Sequence, residues 1–193
     1  MPRLPALRKR ASPVLQRSGH AAAAAALALF ALLGAAGPAR ADAYGDVQKL
    51  YRSGQAEQAL AQADAYMKEH PGDPQMRFVK ANLLSSEGQT EQAQALLTEL
   101  TQEYPELAEP WNNLAVLYAD SGRLKAAEEA LESALRINPG YATALENMGD
   151  VRLRLAQQAY EQARKSGNTS SRVSHKIEVL RELMQDNATK SGN

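Results

Sequence analysis

The chain holds three histidines, His20, His70 and His175, and no cysteine. Nucleophilic catalysis needs a base within hydrogen-bond reach and a group that orients the base. His20 sits beside an apolar run, His70 directly precedes Pro71 at a predicted helix end, and His175 lies far along the chain, so no motif gathers them. A Gly-rich phosphate loop, a paired-histidine zinc motif and an acidic calcium loop are all missing from the sequence. The expectation is no catalytic residue, no metal, no cofactor and no small-molecule substrate. The chain does offer recurring amides and carboxylates. Asn82, Asn112 and Asn113 can each donate to and accept from an extended peptide backbone, whose N–H and C=O groups need partners. Glu109, Asp120, Glu146 and Asp150 would favour a neutral or basic segment over an acidic one.

These residues are spaced by a period. Glycine at 54, 88 and 122, alanine at 59, 93 and 127, and proline at 71, 105 and 139 recur in one step of 34 residues. A period of that length marks a tandem array and fixes the architecture ahead of local propensity. Each unit has an apolar-periodic stretch of about 13 residues, a glycine, a second such stretch, and a proline that cannot continue the helix. Gly54, Gly88 and Gly122 are expected to end first helices in the left-handed region open to glycine. Ala59, Ala93 and Ala127 mark places where two helices cross closely, and a larger side chain there would cost roughly 1–3 kcal/mol. Trp111, Tyr118 and Leu131 are expected to fill the gap between hairpins, with Trp111→Ala costing on the order of 3–5 kcal/mol if the ring is buried.

The third unit reads Trp111, Leu114, Ala115, Tyr118, Gly122, Ala127, Leu131, Ala134, Pro139, and it resembles the tetratricopeptide repeat, W-x2-L-G-x2-Y, then A-x3-F, then P. The second unit keeps Ala81, Leu84, Gly88, Ala93, Leu97, Leu100 and Pro105, with Arg77 at the tryptophan place. The first keeps Val47, Leu50, Gly54, Ala59, Ala63, Tyr66 and Pro71. The resemblance implies an all-α, right-handed α-solenoid of helix-turn-helix repeats over 42–165. A fourth, degenerate unit follows, with Met148 and Gly149 in first-helix places and no glycine turn after them. It forms either one helix from about Thr143 to Lys165 or a hairpin kinked near Ala156. Residues 166–172 read as a loop. An apolar stripe of Val173, Ile177, Leu180 and Met184 predicts a capping helix over 173–186, and 187–193 read as a flexible tail.

In such a solenoid the first helices line the concave side, so the predicted binding ladder is Tyr44, Gln48, Arg52, then Phe78, Asn82, Ser86, then Asn112, Val116, Asp120, then Glu146, Asp150, Arg154. Some members of the family hold a peptide carboxylate with two asparagines and three bases. Asn82 and Asn113 match the asparagines, whereas Phe78, Thr143 and Asn147 occupy the basic places.

The zero formal charge divides unevenly along the chain. Residues 1–41 carry six basic residues and no acidic ones, residues 42–150 carry 8 basic and 18 acidic, and residues 151–193 carry 8 and 4. The positive end is small and lacks an aromatic platform, so nucleic acid is not an expected partner. A basic leader, an apolar run over 21–33 and Ala39-Arg40-Ala41 follow the pattern of a signal peptide cut after Ala41. An uncleaved anchor over 21–39 and an organelle transit peptide are the other readings. The sequence thus predicts an exported, periplasmic protein that binds other proteins or extended peptides as a scaffold in envelope assembly. A structural adaptor that forms homo-oligomers through its basic end is the alternative.

Overall fold

The computed structural model describes residues 38–167 and 170–190, with side chains from 42 to 184. Among them are eight helices and no strand. They are α1 (Pro38–Arg52), α2 (Ala56–Glu69), α3 (Pro74–Ser86), α4 (Thr90–Glu103), α5 (Ala108–Asp120), α6 (Leu124–Ile137), α7 (Ala142–Lys165) and α8 (Ser171–Lys190). The leader through residue 37 lies outside the described residues. α1 starts at Pro38, ahead of the predicted cut at Ala41, with a residue type whose fixed φ suits a first helical turn.

The turns explain the period. Gly54, Gly88 and Gly122 have φ of 81°, 74° and 78°, a conformation that costs any other residue about 1–2 kcal/mol. At each, the amide after the glycine reaches back five residues, as Gln55 N does to Leu50 O (3.0 Å), Gln89 N to Leu84 O (2.9 Å) and Arg123 N to Tyr118 O (2.8 Å). This bond satisfies a carbonyl that the helix end would otherwise orphan. The second helices stop at His70, Tyr104 and Asn138, each directly before a proline, whose ring disfavours helical backbone in the preceding residue.

Consecutive helices pack as antiparallel neighbours, and first helices also touch one another, α1 with α3 and α5 with α7. Three apolar clusters run through the stack, and each joins one hairpin to the next first helix. Val47, Ala59 and Ala63 meet Met76 and Val79; Ala81, Ala93 and Leu97 meet Leu114; Ala115, Ala127 and Leu131 meet Met148 and Val151. Ala59, Ala93 and Ala127 are fully buried. The result is an all-α repeat array in which each unit covers the apolar face of its neighbour.

Trp111 departs from expectation. It is only half-buried, packed against the third cluster with its indole Nε1 donating to Pro105 O at 3.2 Å. Its truncation therefore costs less than that of a fully buried ring. One repeat earlier, the Arg77 guanidinium donates to the equivalent carbonyl of Pro71 and pairs with Glu103 at 2.5 Å. A tryptophan and an arginine thus do the same job, each donating an N–H to the carbonyl at the mouth of the preceding turn. The next equivalent residue, Leu145, has no donor and is 51% exposed.

The fourth unit is one continuous helix, α7, of 24 residues. Its first half uses Ala144, Met148 and Val151 to close the array. Past Val151 no α7 side chain is fully buried, and Leu153, Ala156, Tyr160 and Ala163 form a half-buried stripe on another face. α8 packs on α7 through Val173 and Ile177, which are buried, and Leu180 and Met184, which are half-buried. α8 starts at Ser171 and runs to Lys190, so the predicted loop is shorter and the predicted tail from 187 is helical as far as 190. The polar end of the sequence has no proline or glycine until Gly192, and nothing in it stops the helix.

Candidate functional site

The predicted ladder separates into buried and accessible residues. Tyr44, Phe78 and Asn112 are 6%, 7% and 1% exposed, so they do not line an open groove. They sit three residues before Val47, Ala81 and Ala115, one turn away on the same helical face, and that face is the one the neighbouring helices cover. Tyr44 has a structural task. Its hydroxyl donates to Asp73 Oδ2, as does the Tyr66 hydroxyl at 2.9 Å, while Asp73 Oδ1 accepts from Gln75 N at 2.9 Å and so caps α3. Burial, with the Asp73 carboxylate beside it, drives the Tyr44 phenol far above its ordinary range. The Tyr66 ring also stacks on His70 at 4.2 Å, which accounts for that histidine without any chemistry.

The asparagines come together more tightly than their spacing alone implies. Asn147 Nδ2 donates to Asn112 Oδ1 (2.9 Å), Asn112 Nδ2 to Asn113 Oδ1 (3.1 Å), and Asn113 Nδ2 to Asn82 Oδ1 (2.7 Å). This chain of amides crosses α7, α5 and α3. Asn112 and Asn147 are its buried part, Asn82 and Asn113 its half-buried part. Asn82 stands at the accepting end, and its own amide nitrogen donates to no protein group among the described residues. Sequence reasoning did not include Asn147 among the site residues, although it stands one period after Asn113 and that signal was available.

Beyond the amides the face turns acidic. Asp120 and Glu146 are exposed, and Val116 and Asp150 are half-buried. Partial desolvation raises the Asp120 carboxyl above the usual carboxylate range although the side chain keeps contact with solvent, and Arg154 partly opposes the shift. Asp150 is raised in the same way, first by desolvation and then by Glu146, again with Arg154 opposing. Arg154 Nη2 itself donates to Ala119 O at 2.8 Å, near the carbonyl end of α5. At the far end, Gln48 is half-buried, and exposed Arg52 donates to Gln48 Oε1 at 3.0 Å. Among the described residues, no three His, Asp or Glu side chains are grouped as a metal ion requires.

Hairpins stacked in this way, presenting one polar face on their first helices, define a helical-repeat solenoid. Residues 84–148 match the tetratricopeptide repeat family model, and that stretch is built of tetratricopeptide repeats. A 69-residue stretch is 41% identical to the TPR repeat-containing protein YvcD of Bacillus subtilis strain 168, covering 36% of this chain but only 14% of that protein. Among solved structures, the Sgt2 domain from Aspergillus fumigatus superimposes with a TM-score of 0.58 at 18% identity, over 63% of this chain and 82% of that one. The first repeat domain of Spaghetti (RPAP3), bound to the HSP90 peptide SRMEEVD, gives 0.55 at 14% identity, over 59% and 90%. At such identities the structures establish the shared fold alone.

Proposed function

We propose that this protein is a noncatalytic binding module whose first-helix face takes an extended segment of a partner protein. The observation that carries the reading is the Asn113–Asn82 pair. It places a half-buried amide, with its nitrogen uncommitted, in the middle of a face spanning three repeats, where it can bond a peptide backbone. The related domain solved with a peptide on it supports the same use of the fold. The basic, then apolar, then small-residue pattern of the first 41 residues supports a periplasmic scaffold in envelope assembly. No helix among the described residues is long and apolar enough to cross a membrane. The test is site-specific photocrosslinking from Val116, comparing wild type with Asn82→Ala/Asn113→Ala. Loss of the wild-type adducts in the double variant is the expected result, and undiminished capture would overturn the assignment.

A second reading, self-association through the basic end, is favoured by Val179 and Leu183, which lie one turn apart on α8 and are 46% and 44% exposed. Light scattering across a concentration series decides it, since a mass that stays at one chain at every concentration rules it out.

A further inference from the structure

Resting on the reading of the first-helix face as a peptide-binding surface, the geometry points to the ligand's chemistry: an extended polypeptide with a lysine or arginine near one end of the bound stretch. That side chain is received on the α5–α7 side by Asp120, Glu146 and Asp150, while Asn82 and Asn113 hold the backbone on the α3–α5 side.

Three observations support this charge. Among the described residues, no lysine, arginine or histidine nitrogen lies within 4.0 Å of any of the three carboxylates. Arg154, whose charge acts on Asp120 and Asp150, directs one guanidinium nitrogen to the Ala119 carbonyl and forms no ion pair with either. Asp150 is half-buried and desolvation raises its carboxyl, so part of its hydration is removed with no ion pair in its place, while Asp120 stays open to an incoming cation. A cation arriving with a ligand supplies the missing partner, and the resulting complementarity rejects an acidic peptide of the kind bound to the Spaghetti domain.

The experiment uses the full chain and fluorescein-labelled nonapeptide pools, acetylated and amidated at their ends, randomised over neutral residues, with one terminal position fixed as Arg, Ser or Glu. Fluorescence anisotropy should show the Arg pools binding roughly fivefold tighter than the Ser pools, the order expected of an exposed ion pair, and the Glu pools binding weakest. In Asp120→Asn/Asp150→Asn, shown by circular dichroism to keep its helicity, the Arg-over-Ser preference should disappear. In Asn82→Ala/Asn113→Ala, affinity for Arg and Ser pools should fall together with the preference retained. Binding without an Arg preference, a Glu preference, or an Arg preference that survives the aspartate substitutions overturns the charge assignment alone. Failure of every pool to bind overturns the groove reading along with it.

Discussion

At the scale of single residues, the same place in successive repeats is filled by chemically unlike side chains that meet one need. Arg77 and Trp111 both donate to the carbonyl of the preceding proline, so the apparent loss of the family tryptophan in the second repeat leaves the hydrogen bond intact. Asp73 bears a heavier duty, because it caps α3 and accepts both tyrosine hydroxyls at the joint between the first two repeats. Asp73→Ala should cost about 2–4 kcal/mol, one part from the lost cap and the rest from phenols left without an acceptor. Urea unfolding measures this, and a loss under about 1 kcal/mol would mean that water replaces the carboxylate at no penalty. None of this could be read from Tyr44 in isolation. Its place in the period suggested a groove residue, and only a partner 29 positions away shows that it points into the joint. Asn82 and Asn113, by contrast, could be paired from spacing, because both lie on first helices of adjacent units.

At the scale of elements, the glycines, prolines and small alanines were legible because backbone geometry or a close crossing admits few alternatives there. The fourth unit was not, since omission of a turn leaves either a straight or a bent helix sterically acceptable. The straight outcome makes α8 the cover for the Leu153, Ala156, Tyr160 and Ala163 stripe. A chain ending at Lys165 would leave that stripe open. It should therefore lose more helicity than the residues of α8 account for and should associate as concentration rises, by circular dichroism and light scattering. A monomer that loses no more than the helical signal of α8 would show that the second half of α7 stands without its cover.

At the scale of the whole molecule, the uneven charge of the chain becomes a property of one face. Asp120 and Asp150 have native pKa values above their ordinary ones, so the folded protein holds their protons more tightly than the unfolded chain does. Stability then falls as pH rises from the ordinary carboxylate range through the raised values, and the penalty is complete at neutral pH. Asp150→Asn should thus raise Tm slightly at pH 7, and Asp120→Asn, whose side chain is exposed and screened by solvent, should raise it less. The gain should vanish below the ordinary carboxylate range, near pH 3.5. A lower Tm at pH 7 would show that these carboxylates are already well served in the free protein. Net acidity over 42–150 was countable from composition, but which acids lack a counterion depends on how far Arg154 reaches toward α5, and no spacing rule encodes that reach.

The unbroken α7 also bears on how long this chain can be as a polymer of hairpins. Adding a further unit requires a reversal of direction where α7 instead runs straight on, so the omitted turn works as a terminator. Duplicating a 34-residue module upstream of Ala142 should lengthen the stack without disturbing its end.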